Sequence, residues 1–97
     1  MAEIWKKIKY NSRYEVSNFG NIRNAKTKQL LALNPTKSHR HPQVFLSRGK
    51  WKEQRTVSHI VWEHFAPWDD RQYRYYQIVH LDNNIFNNNI KNLAALL

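Results

Sequence analysis

The chain reads as an α+β protein, and three observations lead there. Short stretches alternate apolar and polar residues between turn formers, as in Tyr14-Glu15-Val16 and Gln43-Val44-Phe45-Leu46. That is the period of a half-buried strand. One stretch, Ser58 to Phe65, instead spaces Ile60, Val61, Trp62 and Phe65 as a helix does. Finally, 97 residues make one small domain with a limited core, so four Trp, five Tyr and four Phe must carry much of its burial.

In chain order, Glu3-Ile4-Trp5-Lys6-Lys7-Ile8 leads into Tyr14 to Arg23. Tyr14, Val16 and Ile22 predict two short strands around a turn at Asn18-Phe19-Gly20, where Gly20 can take a positive φ. Gln29-Leu30-Leu31-Ala32-Leu33 is a short apolar run stopped by Asn34-Pro35, and Thr36 to Pro42 reads as a polar, basic loop. Gln43–Ser47 and Gln54–Val57 predict a hairpin around Arg48-Gly49-Lys50-Trp51-Lys52. Its Trp51 either presses on a phosphate backbone or a base, or folds back onto the sheet; the sequence leaves both open. The helix follows at about residues 58–66, with Ser58 as its N-cap and Pro67 as its stop. Asp69 to Arg74 is a polar connector, and Tyr75-Tyr76-Gln77-Ile78-Val79 is a strand leading to His80. With no internal repeat or linker, residues 1–97 are assigned to one domain, a basic part of about 1–55 and a second part of about 56–97.

Charge separates these two parts. Residues 1–55 hold thirteen Lys and Arg against three acids, a net of +10, whereas residues 56–97 have a net of −1. The total of +9 favours a polyanion as partner, and nucleic acid above all. An anionic membrane fits less well, because no basic amphipathic helix is visible. The candidate DNA contacts are Arg23, Lys26, Lys28, Lys37, Arg40, Arg48, Lys50, Trp51, Lys52 and Arg55, with His39 and His41 as further phosphate contacts in the basic loop. No cysteine is present, which excludes a disulfide framework and thiolate zinc sites. No run has the makings of a signal peptide or membrane span, so a soluble intracellular protein is expected.

The segment richest in chemistry is Val79-His80-Leu81-Asp82-Asn83-Asn84-Ile85-Phe86-Asn87-Asn88-Asn89-Ile90-Lys91-Asn92-Leu93. It resembles the core of HNH (His-Me finger) endonucleases of the homing type, whose pattern is H-x-D-G-N-x-x-N-N-x-I-x-N-L. His80, Asp82, Asn84, Asn87, Asn88, Ile90, Asn92 and Leu93 all fall in register. Trp5, Ile8, the Tyr14–Gly20 block and Arg23 resemble the small module found beside such nuclease domains. The family's V-H-R-L-V segment is similar to Val57-Ser58-His59-Ile60-Val61, with Ser58 and His59 in place of its His and Arg. Where the family usually has a Gly-Tyr pair, this chain has Arg40-His41-Pro42. The resemblance implies that the N-terminal sheet and helix are followed by a degenerate or truncated ββα-metal core. It also implies double-stranded DNA as partner and a phage or mobile-element origin in a bacterial cytoplasm.

The same resemblance assigns His80 as general base and Asn92 as a catalytic-site residue that fixes loop geometry. A neutral imidazole is suited to accepting a proton from water at neutral pH. If the enzyme is active, Mg²⁺ or another divalent cation is the implied cofactor, and a hard cation needs oxygen ligands. The family's ligand before the catalytic His is replaced by Val79, and the second position would lie near residue 101, past Leu97. Asp82 is the only carboxylate near His80 in sequence and is the tentative metal ligand, although in this motif its usual work is to stabilise the turn. His59 and His64, five residues apart, fall on different helix faces.

Three functions are compatible with these residues. The favoured one is a double-stranded DNA-binding protein related to HNH homing endonucleases, its metal site incomplete and its cleavage weakened or lost. The second is an active, metal-dependent nicking endonuclease with His80 as base. The third is a small phage protein that binds a host protein, a nucleoprotein complex or a second copy of itself through an apolar edge at Ala94-Ala95-Leu96-Leu97.

Overall fold

A computed structural model describes residues 2–32, 41–66 and 77–96. Lys37, His39, Arg40, the connector Asp69 to Arg74 and the Tyr75-Tyr76 pair lie outside the described residues.

Tyr14 and Val16 point to one face of the chain and are buried, and around them three antiparallel strands form. These are β1 (Trp5–Ile8), β2 (Asn11–Ser17) and β3 (Ile22–Asn24), in the order β1-β2-β3. The expected β2–β3 turn is present, with Gly20 at φ +92°. β1 is a third strand that sequence periodicity missed, because only Ile8 of its four residues is buried. The Gln29–Leu33 run forms no strand among its described residues. It lies beside β3 through a single bridge between Arg23 and Leu30, and Leu31 N–H donates to Ile22 O at 2.9 Å.

β4 (Gln43–Arg48) and β5 (Trp51–Thr56) pair from Gln43 opposite Thr56 to Arg48 opposite Trp51. The turn is tighter than the sequence suggested: only Gly49 and Lys50 lie between the strands, with Gly49 at φ +62°. Buried Val44 and Leu46 face inward, while Tyr14 Oη accepts from Ser47 N–H at 3.0 Å, tying the hairpin to β2.

Helix α1 (Val57–Phe65) follows β5 without a loop. The expected Ser58 cap is not observed. Thr56 occupies the N-cap position, its side chain makes no capping bond, and Ser58 is buried in the first turn. Val57 N–H instead donates to Pro42 O at 3.0 Å, so the hairpin's neighbour satisfies the helix start. The helix buries Val57, Ile60, Val61 and Trp62 against Ile8, Tyr14, Val16, Ile22, Val44, Leu46 and Leu93 in one apolar core. Ile8 near the start of the described residues and Leu93 near their end meet in this core, so it joins distant parts of the chain.

β6 (Gln77–His80) and β7 (Leu93–Leu96) form a second hairpin, with Val79 opposite Ala94 and His80 opposite Leu93. A 3₁₀ turn at Ile90–Asn92 precedes β7. The architecture is α+β: small antiparallel sheets around one helix. Among the described residues no helix is long and apolar enough to cross a membrane.

Candidate functional site

The Asn-rich segment between β6 and β7 is a loop ordered by its own side chains. Asp82 Oδ1 accepts from Asn84 N–H at 2.8 Å, Asn84 Oδ1 from Phe86 N–H at 3.0 Å, and Asn89 Oδ1 from Lys91 N–H at 3.0 Å. Each is a side chain reaching the backbone two residues on, the bond for which Asp and Asn are favoured in turns. Asn83, at the glycine position of the HNH-like pattern, adopts φ +61° and donates its N–H to His80 O at 3.0 Å. Asn is the non-glycine residue that tolerates this region best.

Asn92 braces the loop across its mouth. Its Oδ1 accepts from Asp82 N–H at 3.1 Å, and its Nδ2 donates to Asp82 Oδ1 at 2.8 Å and to Asn87 O at 2.9 Å. Leu81 N–H donates to Asn92 O at 2.8 Å beside it. Both Asp82 oxygens are thus engaged, since Oδ2 accepts from Asn87 Nδ2 at 3.0 Å. The Asn87 amide, then Asn84 N–H and the Asn92 amide, hold the Asp82 carboxyl below its usual range. A depressed folded-state pKa stabilises the loop above the unfolded carboxylate pKa, and that stabilisation is lost as pH falls through the folded value. Hydrogen exchange should therefore show a protected Asn84 amide at neutral pH that loses protection below the usual carboxylate range; protection independent of pH would contradict this role for Asp82.

His80 is buried at the end of β6, and its Nε2 lies 2.8 Å from Oδ1 of buried Asn88. An amide oxygen only accepts, so the neutral form of the ring carries its proton on Nε2 and leaves on Nδ1 the lone pair that a proton acceptor needs. The exposed His41 ring lies 5.4 Å from the His80 ring, centroid to centroid. Partial desolvation first, and His41 second, hold the His59 imidazole below its usual range. His64 does other work: Nδ1–H donates to Ile60 O at 2.8 Å and Nε2 accepts from Lys9 N–H at 2.9 Å, inside the core. Placing His41 beside His80 takes the tertiary fold, because the two are far apart in the chain and nothing in sequence links them.

The basic residues divide in two. Arg23 is drawn inward, with Nε–H on Glu15 Oε1 at 2.7 Å and its guanidinium 3.9 Å from the Trp5 ring centroid. Lys28, at φ +64°, shares Glu15 at 3.3 Å, and these two cations hold the Glu15 carboxyl below its usual range, Arg23 foremost. Arg55 pairs with Glu53 and lies 4.2 Å from the Tyr10 ring centroid; Arg48 reaches Glu53 at 3.6 Å. Lys26, Lys50 and Lys52 are exposed. So is Trp51, at 78%, which rules out the folded-back alternative. An open groove of about 600 Å³ runs past Lys7, Arg13, Lys26 and Lys28, with Ser12 and Thr27 between them. Lys7 and Arg13 had no motif to mark them; pairing of β1 with β2 and the turn after β3 bring them to Lys26.

Residues 3–47 match the NUMOD4 motif. Among curated proteins, none matches the chain. The solved structure of the HNH homing endonuclease I-HmuI, described as showing DNA binding and cleavage by that protein, is similar with a TM-score of 0.80 and 26% identity. The likeness covers 96% of this chain and 52% of that one, so the chain spans about half the length of I-HmuI. The chain thus carries a NUMOD4 motif in its first half and is similar in fold, across nearly all of its length, to an HNH homing endonuclease.

Proposed function

We propose that this chain binds double-stranded DNA as a relative of HNH homing endonucleases, with its cleavage chemistry weakened or lost. The observation that carries the reading is the fold it shares with I-HmuI, a DNA-binding and DNA-cleaving protein, over 96% of the chain. The groove past Lys7, Arg13 and Lys26 and the hairpin tip at Lys50, Trp51 and Lys52 supply cations and an aromatic for a phosphate backbone.

The weakening is supported by the donor set around His80. The fold family implies a divalent cation, and the described residues fit one poorly. Val79 offers no donor atom, both Asp82 oxygens are already hydrogen-bonded, and no three His, Asp or Glu side chains among the described residues cluster as cation ligands. His80 can still accept a proton from water through Nδ1, which favours residual nicking as the second reading.

Two experiments separate these readings. In duplex-binding titrations over a salt series, Lys26→Ala and Lys50→Ala should each flatten the salt slope by about one unit. Trp51→Ala should weaken binding roughly tenfold with the slope unchanged. Arg23→Ala should instead lower stability, because it removes the cation over Trp5 and leaves Glu15 with Lys28 alone. No binding at low salt would refute the proposal. In parallel, supercoiled plasmid is incubated with Mg²⁺, Mn²⁺ or EDTA. Nicking that needs both the cation and His80 would establish the second reading, and intact plasmid in all three would leave binding alone.

A further inference from the structure

Asn88 is held from two sides. Through Oδ1 it takes the Nε2–H of His80 at 2.8 Å, and through its backbone and Cβ it lies against Gly20 in the β2–β3 turn. A Cβ built on Gly20 would fall 2.8 Å from Asn88 Cβ and 2.9 Å from its carbonyl carbon and oxygen. These separations leave no room for any side chain, so the turn backbone is pressed directly on the His80 loop. The neighbouring Asn18 O accepts from Ile90 N–H at 2.9 Å and fastens the same loop at a second point.

The turn is stiff enough to act as a stop. Ser17 Oγ accepts from Phe19 N–H at 3.2 Å and Asn21 N–H at 3.1 Å, and Ser17 N–H donates to Asn21 O at 2.8 Å. Buried Asn18 takes Ile4 N–H on its Oδ1 at 2.7 Å, tying the turn to the start of the chain. We propose that the Ser17–Gly20 turn positions the imidazole of His80, with Gly20 and Asn88 as positioning residues. The turn seats Asn88, Asn88 Oδ1 holds the proton on Nε2, and Nδ1 of the neutral ring is left as the accepting nitrogen. In consequence the NUMOD4-matched half of the chain sets the state of the nuclease-like half, besides any contact it makes with DNA. The catalytic part of this role rests on the nuclease reading of His80; the structural part does not.

Imidazole nitrogen NMR of the full chain at alkaline pH, where the ring is neutral, reads the tautomer directly. Wild type should show His80 as Nε2–H. Asn88→Ala and Gly20→Ala should each give a mixture, and Asn88→Asp, which keeps an acceptor oxygen, should restore Nε2–H. Gly49→Ala is the control, because Gly49 also has a positive φ, at +62°, but nothing within 4 Å of an added Cβ. Should Gly20→Ala fail to fold, Asn18→Ala loosens the turn without adding bulk and replaces it. A His80 tautomer unchanged in folded Asn88→Ala and in the turn variant overturns the proposal. On plasmid, Asn88→Ala should lower kcat by about ten- to a hundredfold with KM unchanged, and Asn88→Asp should recover it. If wild type does not nick, the cleavage reading of His80 falls, and the tautomer spectra still decide the role of the turn.

Discussion

Gly20→Ala is expected to be the most damaging small substitution in the chain, costing about 3 kcal/mol of stability. Two costs combine. An alanine at φ +92° is conformationally strained, and its methyl group would stand within 2.9 Å of Asn88 backbone atoms. Those atoms cannot rotate away as the end of a long side chain would, because Ile90 N–H is bonded to Asn18 O next to them. For a chain of 97 residues this corresponds to a melting point lower by roughly 10–20 °C. Gly49→Ala carries the strain alone and should cost about 1 kcal/mol. Thermal unfolding followed by circular dichroism compares the two, and equal shifts would mean that the Gly20–Asn88 contact contributes nothing.

Asn92→Ala is the second large effect. The substitution removes an acceptor for Asp82 N–H and donors to Asp82 Oδ1 and Asn87 O, three bonds that close the loop between β6 and β7. The melting point should fall by on the order of 10 °C, and the amides of Leu81 to Asn84 should lose protection from exchange before those of β2. Asn92→Asp should be worse than its isosteric size suggests, since a second carboxylate would face Asp82 where an amide donor stood. A loop whose exchange is unaffected by either change would refute the bracing role.

Much of the fold was legible in the sequence. The β2–β3 turn, the β4–β5 hairpin, the helix and the strand into His80 announce themselves through periodicity and turn formers, which act within a few residues. The misses have local causes too. β1 escaped because Trp5, Lys6 and Lys7 show no alternation of burial; the strand exists by pairing with β2. Ser58 had the chemistry of a cap, but β5 runs straight into the helix and moves its start to Val57, burying the hydroxyl. The basic residues were found by count, yet count cannot tell Arg23, committed to Glu15 and Trp5, from exposed Lys26.

The HNH-like segment shows the same division within a single site. By itself the sequence determined the loop: Asp82, Asn84 and Asn89 bond to amides two residues ahead, and Asn83 takes the left-handed turn, so residue type and spacing suffice. What only the tertiary structure decided is the setting of His80. Its neighbours Gly20, by way of Asn88, and His41 come from distant parts of the chain, through contacts of a few ångströms that require the sheets and helix to be packed first. Hydrogen bonds between near neighbours leave a pattern in sequence, whereas contacts between distant segments are set by the shape of the core.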